Sequence, residues 1–234
     1  VSMPKQVKQR WRQRLPVSGV TAPICVAGRV LVGGADGTVR ALAAADGQML
    51  WQASSNAAVQ FPPAYWNGRV VFGSCDGSLY CVDAADGRTL GRIELAPATR
   101  FVNIMDRFMS AWPLGGGVIM SDDGVAYTAA GSTAADGAEV VAVELATGKC
   151  RWRQAYTLDR AEPKLSFGVQ GNILLKNNTL FINGGAPVGI VALDAVTGGN
   201  PRVAARLEAG MEMFLDPDDQ PLCSGPELYA NECA

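Results

Sequence analysis

Histidine is absent from this sequence of 234 residues. A Ser-His or Cys-His nucleophile pair therefore cannot form, and neither can a zinc or iron site that depends on imidazole ligands. General acid–base chemistry would fall to carboxylates, Lys, Tyr or Cys. The composition argues against most hydrolases. We assign no catalytic residue and lean towards a protein that is not an enzyme.

Charge and long apolar runs are also scarce. Lys, Arg, Asp and Glu make up 18% of the residues, and the formal net charge is -2. A balance so close to neutrality gives no electrostatic reason to expect nucleic acid or an acidic membrane as partner. No apolar run approaches the roughly 20 residues that a membrane-spanning helix needs. We therefore expect no nucleic-acid partner and no transmembrane segment.

What the sequence does have is 27 glycines and an internal repeat with a period of about 40 residues. The segments APICVAGRVLVGGADGTVRALAAADGQMLW (22–51) and PPAYWNGRVVFGSCDGSLYCVDAADGRTLG (62–91) align without a gap, and Trp11 stands one full period before Trp51. Less regular copies follow, up to about residue 200. The turn residues of the repeats are Asp36, Gly37, Gly47, Asp76, Gly77, Gly87, Gly148 and Gly198.

Each repeat consists of short β-rich runs separated by tight turns. Asp-Gly and Thr-Gly pairs supply the positive-φ positions that tight hairpins need. About four short strands per repeat of this length are typical of a propeller blade. The sequence therefore predicts an all-β fold, a β-propeller of four-stranded antiparallel blades with about five blades' worth in this chain. The expected repeats are 15–52, 57–94, 110–154, 165–207 and 208–234, the last completed by 8–14 if the propeller closes.

The second turn of each repeat carries a family resemblance. The segments ALAAADGQMLW, CVDAADGRTLG, AVELATGKCRW and ALDAVTGGNPR resemble the PQQ-like β-propeller repeat, and the insertion that follows residue 94 resembles those of large bacterial, planctomycete-type members. Family members usually have seven or eight blades. A single propeller domain over residues 1–234 and a fragment of a larger propeller therefore both remain open.

The resemblance also implies a role for tryptophan. In such propellers this residue packs between neighbouring blades, so Trp11, Trp51 and Trp152 are expected to dock the blades. Gly91 takes the tryptophan position of the second repeat, and Arg202 takes it in the fourth. Because Gly91 shortly precedes an insertion, we expect the blade edge to open there and seat the longer loop.

Two of the six cysteines, Cys75 and Cys81, flank an Asp-Gly turn and raise the question of a metal or a disulfide. Their equivalents in the preceding repeat are Ala35 and Ala41, which are small apolar residues. Cysteine often fills such positions as a small hydrophobe. The spacing is not CxxC, and a second pair of ligands is missing. We predict no metal site.

The resemblance makes PQQ with calcium the alternative to a chain without a cofactor. Quinoprotein dehydrogenases of this fold carry an adjacent cysteine pair, a calcium site and a catalytic aspartate. This chain has no adjacent cysteines, and none of its residues can be assigned to these roles by motif. We predict no cofactor. The alternative function is a part of a larger PQQ-dependent or multidomain oxidoreductase with its catalytic residues outside this chain.

The stretch RFVNIMDRFMSAWP (100–113) interrupts the repeat, since the turn glycines Gly87 and Gly148 lie farther apart than one period. Long loops on a rigid scaffold are frequent binding sites. The segment contains charged and aromatic side chains, which are favoured at interfaces, and it is therefore the candidate partner-binding segment. The loop GSTAADGA (131–138) is expected to lie at the edge of the same face. The candidate residues are Arg100, Asp106, Arg107 and Trp112. The alternative is a short capping helix with Phe101, Ile104, Met105 and Phe108 on its apolar side.

The leading hypothesis is a non-catalytic scaffold that presents loops to a protein or polysaccharide partner, or to other parts of a larger polypeptide. Family members in envelope assembly suggest an extracytoplasmic location, in the periplasm or cell envelope. No signal peptide precedes the first repeat, and we expect that an export signal or an upstream domain was removed. A bridge between Cys223 and Cys233 stays open, because it depends on an oxidising compartment.

Overall fold

The computed structural model describes residues 8–17, 19–98, 100–104, 107–157, 165–185, 188–205 and 213–223. Throughout these ranges the regular structure is β-strand, and no helix occurs. Sixteen of the twenty strands form four antiparallel sheets of four strands each, in which each strand pairs with its neighbour in the sequence. The all-β prediction and the four-stranded antiparallel blades are confirmed.

The four sheets are numbered as blades in chain order. Blade 1 contains β1 (Ile24–Val26), β2 (Arg29–Gly33), β3 (Thr38–Ala43) and β4 (Met49–Ser54). Blade 2 contains β5 (Ala64–Trp66), β6 (Arg69–Gly73), β7 (Ser78–Asp83) and β8 (Thr89–Glu94). Blade 3 contains β11 (Val118–Met120), β12 (Val125–Ala130), β13 (Ala138–Glu144) and β14 (Lys149–Tyr156). Blade 4 contains β15 (Ile173–Lys176), β16 (Thr179–Asn183), β17 (Ile190–Asp194) and β18 (Arg202–Ala205).

Two hairpins complete the described strands. Strands β9 (Phe101–Ile104) and β10 (Arg107–Ser110) pair between blades 2 and 3, and β19 (Met213–Leu215) pairs with β20 (Pro221–Cys223) after blade 4. The second hairpin lies where a fifth blade is predicted. Residues 8–14 form no strand, and residues 206–212 and 224–234 lie outside the described ranges. The domain limits and the closure of a fifth blade stay predictions.

The hydrophobic core lies between the blades. One cluster joins blades 1 and 2, a second joins blades 2 and 3, and a third joins blades 3 and 4. The middle strands are accordingly buried on both faces, as in TVRALA of β3 and VAYTAA of β12. A blade cannot bury these apolar faces by itself, and it therefore needs a neighbour on each side.

The connections lie at two opposite ends of the blades. What we call the loop end carries the second connection of each blade, at 34–37, 74–77, 131–137 and 184–189. The turn end carries the third connection of each blade, at 44–48, 84–88, 145–148 and 195–201. Because β8 runs towards the loop end, the insertion after it emerges there.

Tryptophan side chains link the turn end of one blade to the part of the chain that precedes this blade. The indole N–H of Trp51, at the end of blade 1, donates to the Ala84 carbonyl of blade 2 at 2.9 Å. In the same way Trp11 donates to Ala44 at 3.0 Å, and Trp152 donates to Ala195 at 2.9 Å. Each indole lies on the glycine of the turn that it contacts. The glycines beneath Trp11, Trp51 and Trp152 are Gly47, Gly87 and Gly198.

These glycines are required for two reasons. Their φ angles are +77°, +77° and +70°, and a side chain added to them would meet the indole at 2.6 to 2.7 Å. The repeated Asp-Gly or Thr-Gly pair thus supplies both the tight turn and the flat surface on which a tryptophan packs.

No helix in the described ranges is long and apolar enough to cross a membrane.

Replacement of Trp51, which is 7% exposed, tests the blade contact. Loss of the indole leaves a cavity and an unpaired carbonyl at Ala84, so Trp51→Ala should lower the free energy of unfolding by about 3–5 kcal/mol. Trp51→Phe keeps a ring and should cost less, roughly 1–3 kcal/mol. Denaturant unfolding measures both.

The control for this experiment is Met49→Ala on the same strand. Met49 is 46% exposed, and its replacement should change the free energy of unfolding by about 0.5 kcal/mol or less. Equal effects of the replacements at positions 49 and 51 would contradict the role of the indole between the blades.

Candidate functional site

The insertion folds as a β-hairpin on the loop end. Strands β9 and β10 pair in the register Phe101 with Ser110, Val102 with Met109 and Phe108 with Asn103. The capping-helix alternative is therefore wrong. Both halves of the segment are extended strands, so Phe101 and Phe108 do not lie on one face of a helix.

The inner face of the hairpin is buried against blade 2. Met109 is 8% exposed and forms a small cluster with Ala58 and Cys75, and the partly buried Val102 packs against it. This cluster lies over the 74–77 turn of the loop end. This hydrophobic contact fixes the hairpin on blade 2 through the pair Val102 and Met109.

Backbone hydrogen bonds continue the attachment on both sides. The amide of Ser110 donates to the Cys75 carbonyl at 2.8 Å. From blade 3, the amide of Gly131 donates to Pro113 at 3.0 Å, and the Ser132 hydroxyl donates to the Ala111 carbonyl at 3.0 Å. The insertion is therefore attached to two blades at once.

The outer face of the hairpin exposes two aromatic rings. Phe108 is 74% exposed and Phe101 is 53% exposed. In the antiparallel register they are diagonal neighbours on one face, about 7–8 Å apart at the backbone. We call Phe101 and Phe108 the aromatic pair.

A compact polar cluster stands at the base of the hairpin. The guanidinium of Arg100 lies 4.9 Å from the centre of the Trp112 ring and forms an ion pair of 2.6 Å with Asp136. The Trp112 indole donates to the backbone carbonyl of Asp136 at 3.3 Å. The bond from Arg100 holds the pKa of the Asp136 carboxyl below its ordinary value, and a bond from Thr133 acts in the same direction.

Asp136 is the turn aspartate of blade 3, equivalent to Asp36 and Asp76. In blade 1 this aspartate pairs with Arg40 at 2.5 Å, and in blade 2 it accepts a bond of 2.5 Å from the Tyr80 hydroxyl. Both of these partners come from the strand that follows the turn. In blade 3 the partner, Arg100, comes from the insertion instead.

The structure thus brings together two of the four predicted partner-binding residues, Arg100 and Trp112, with the loop 131–138 beside them. Arg107 begins β10, and its side chain lies outside the described part, as does all of Asp106. The sequence reasoning missed the exposure of the aromatic pair. The apolar residues of the segment come in adjacent pairs, at 101–102, 104–105 and 108–109, so no alternation in the sequence indicated a hairpin.

The two cysteines of the blade 2 hairpin occupy different environments. Cys75 is 1% exposed in the cluster beneath the insertion, next to Met109. Cys81 lies on β7, in the interface between blades 2 and 3, where burial raises the pKa of its thiol. The described residues contain no group of three or more Cys, Asp or Glu side chains that could hold a metal ion.

Comparison with known proteins identifies the family. The model of the family described as outer membrane protein assembly factor BamB matches residues 4–110 and 75–200. The chain belongs to this family of PQQ-like repeat β-propellers. The resemblance inferred from the turn segments is confirmed. No curated protein matches the chain.

Solved structures show the same fold at low identity. BamB from Moraxella catarrhalis is 17% identical, with a TM-score of 0.63 over 84% of this chain and 55% of that one. The quinohemoprotein alcohol dehydrogenase from Comamonas testosteroni is 17% identical, with a TM-score of 0.66 over 88% and 39%. The computationally designed protein Ika4 is 18% identical, with a TM-score of 0.55 over 81% and 99%. The chain thus spans about half the length of the BamB structure.

Whether PQQ and calcium fit this protein depends on which of its oxygen groups are free to bind the ion. Calcium prefers six to eight oxygen ligands, chiefly carboxylates and carbonyls. On the loop end the turn carboxylates are engaged one by one, Asp36 by Arg40, Asp76 by Tyr80 and Asp136 by Arg100. The described residues therefore do not fit a calcium–quinone site.

The cluster at the base of the hairpin should respond to acid. Because the pKa of Asp136 is lowered in the folded state, its stabilising contribution is present above about pH 4 and is lost as the pH falls through the lower, folded value. Arg100 is 53% exposed, so the ion pair contributes only about 1 kcal/mol or less. The Trp112 indole resonance, followed by NMR from pH 7 to pH 2, reports this titration.

In Arg100→Gln the midpoint of the Trp112 titration should move up towards the ordinary aspartate value. Arg88→Gln is the matched control, since Arg88 lies at the turn end, 4.0 Å from Asp83, and is 67% exposed. A midpoint that is the same in Arg100→Gln and in the unmodified protein would contradict the assignment.

Proposed function

We propose that this chain is a non-catalytic scaffold propeller that binds a protein partner through the hairpin β9–β10. The observation that carries the proposal is the aromatic pair, two phenylalanines exposed by 53% and 74% on one face of an anchored hairpin. Large apolar side chains that are exposed together mark interaction sites more often than single exposed residues do.

The surroundings of the aromatic pair have the composition of an interface. An apolar centre is bordered by an exposed arginine, Arg100, and by the half-buried ring of Trp112. Aromatic and arginine side chains contribute most of the binding energy in many protein interfaces, and polar groups around them exclude water. The buried inner face leaves the outer face available to a partner.

The anchoring of the hairpin favours binding for a further reason. Ordering a loop during association costs free energy, and a loop that is already ordered avoids this cost. Bonds from blade 2 to Ser110 and from blade 3 to Ala111 and Pro113 hold the insertion before any partner arrives. The blades thus serve as a rigid support for the aromatic pair.

The family description supports a protein as the partner. Because that family is described as an outer membrane protein assembly factor, we propose a bacterial, extracytoplasmic scaffold of the cell envelope. None of the comparisons supports a polysaccharide partner. The chain spans about half of the BamB structure. If the whole protein has further blades, its partner surface extends onto them.

The alternative, a part of a larger PQQ-dependent oxidoreductase, has the support of a shared fold with a quinohemoprotein alcohol dehydrogenase at 17% identity. The engaged carboxylates of the loop end do not favour it. Addition of PQQ with Ca²⁺ should leave the melting temperature unchanged within about 1 °C. A rise of several degrees with stoichiometric binding, absent with Mg²⁺, would overturn the scaffold proposal.

Site-specific photo-crosslinking tests the partner surface in the full-length protein. A photoreactive phenylalanine analogue replaces Phe108, or Val196 as the control. Val196 is 63% exposed at the turn end, away from the insertion. We expect one protein adduct at position 108, at least about ten times stronger than at position 196. Absence of this difference in native cells would contradict the proposal.

Substitution then measures the contribution of the aromatic pair. With the partner identified by crosslinking, Phe108→Ser should weaken binding by about 30-fold, whereas Val196→Ser should leave it unchanged. The melting temperature of both variants should stay within about 2 °C of the original, since both side chains are exposed. A large drop in the melting temperature of Phe108→Ser would assign the hairpin to stability instead.

A further inference from the structure

In three places a tryptophan from the preceding part of the chain packs on the glycine of a third connection, namely Trp11, Trp51 and Trp152. Blade 3 lacks a tryptophan at this position. At the contact between blades 2 and 3 the equivalent residue is Gly91. The strand registers prove the equivalence, because Gly91 pairs with Cys81 as Trp51 pairs with Ala41. In each case the register shifts directly after this pair.

The position of the missing indole is empty. A side chain added at Gly91 would meet nothing within 4 Å, and the same is true of Gly148, the turn glycine that faces it from blade 3. The corresponding glycines of the filled contacts would meet an indole at 2.6 to 2.7 Å. The two blades therefore keep their separation although no ring lies at this position. The tryptophan that does join them, Trp66 of blade 2, lies on Gly124 of blade 3 and donates to the Asp122 carbonyl at 3.4 Å.

The gap is a cavity of about 300 Å³ with an apolar wall. Its lining includes Val71, Leu79 and Ile93 from blade 2 and Val143 and Leu145 from blade 3. No residue of the insertion after residue 94 is among the described lining residues. Leu95 and Leu114 of the insertion pack into the core between blades 2 and 3, but the opening at Gly91 itself lies at the turn end and does not hold them.

We propose that this cavity binds the indole ring of a tryptophan side chain from a partner protein. The commitment to indole follows from the filled contacts. The same turn encloses the ring in all three, and Trp51 and Trp152 also occupy the same strand position. This site is separate from the aromatic pair and does not depend on it.

The polar groups of the cavity suit an indole N–H. In the filled contacts the acceptor is the carbonyl three residues before the turn glycine, as with Ala84 and Gly87. The equivalent carbonyl belongs to Leu145, and no side chain in the described ranges donates to it. Arg69 lies beside it and donates to the next carbonyl, that of Ala146, at 3.5 Å.

The outer edge of blade 2 can deliver the ring. Strand β8 is the last strand of its sheet in the described structure, and its residues from Thr89 to Arg92 are exposed. A strand from a partner can pair with such an edge by backbone hydrogen bonds. Because Gly91 has no side chain, a tryptophan on that strand can pass over it into the cavity.

Arg69 and Arg92 also line the cavity, and neither forms an ion pair within the described ranges. Their charge favours acidic residues next to the tryptophan of the partner segment.

Indole and a strand-forming peptide, acetyl-Thr-Val-Trp-Glu-Val-Asp-amide, are the probes for this site. Indole should bind the full chain at one site with a dissociation constant of roughly 1 mM, as expected for a ligand of its size. It should shift the NMR signals of Gly91, Leu145 and Ala146. 1-Methylindole, which lacks the N–H, should bind about 5- to 10-fold more weakly. Absence of saturable indole binding up to about 20 mM would overturn the proposal.

Gly91→Trp should fill the cavity with the chain's own indole. Binding of both probes should disappear, and the melting temperature should rise by several degrees, as is typical of cavity-filling changes. Leu50→Trp is the matched control, because Leu50 is 49% exposed on β4, beside a contact already filled by Trp51. Binding that persists in Gly91→Trp, or that disappears in Leu50→Trp, would contradict the assignment of the site.

Comparison of the peptide with free indole shows whether the ring that binds comes from a partner protein or from a small molecule. It should bind at least about 10-fold more tightly than free indole, because the backbone pairing and the acidic residues add to the ring. A Trp→Ala version of the peptide should lose this binding. If free indole binds as tightly as the peptide, the docking of a partner segment is refuted.

Discussion

The structure depends on the packing of one blade against the next. A four-stranded blade has two apolar faces, and each is covered only by its neighbour, so the cores lie between sheets rather than within one. At the turn end a tryptophan closes this contact by lying on a turn glycine and by donating to a nearby carbonyl, as Trp51 does with Gly87 and Ala84. The contact joins consecutive repeats, and the same turn motif recurs wherever the tryptophan is present.

The loop end uses a second repeated feature for a different purpose. The turn aspartate binds within its own blade in blades 1 and 2, but in blade 3 Asp136 binds Arg100 of the insertion. A residue of the ordinary blade thus becomes an anchor for the hairpin. This change leaves the blades unaltered and orients the aromatic pair outwards. The repeat can therefore carry an ordered hairpin with exposed aromatic rings without a change of fold.

Local features explain how much could be predicted. The four-stranded blades follow from turn pairs such as Asp36–Gly37 and from runs of strand-forming residues, which act over a few residues. The site was predicted only in part, because Arg100 and Trp112 were identified by residue type alone. The helix alternative for 101–108 failed because the spacing of four apolar residues in a short segment fits a helix and a hairpin equally well. Only the pairing of Val102 with Met109 distinguishes them.

The sequence by itself determined the period, the turns and the strand order, since each arises from contacts between residues close in the chain. The tertiary structure decided which side chains meet over long separations. Asp136 and Arg100 are 36 residues apart, and the cavity at Gly91 lies between walls from two blades. Whether a missing indole leaves a gap or is filled by other side chains depends on the packing of both blades around it. A glycine in the sequence shows that the ring is absent, and only the packed blades show that its place is empty.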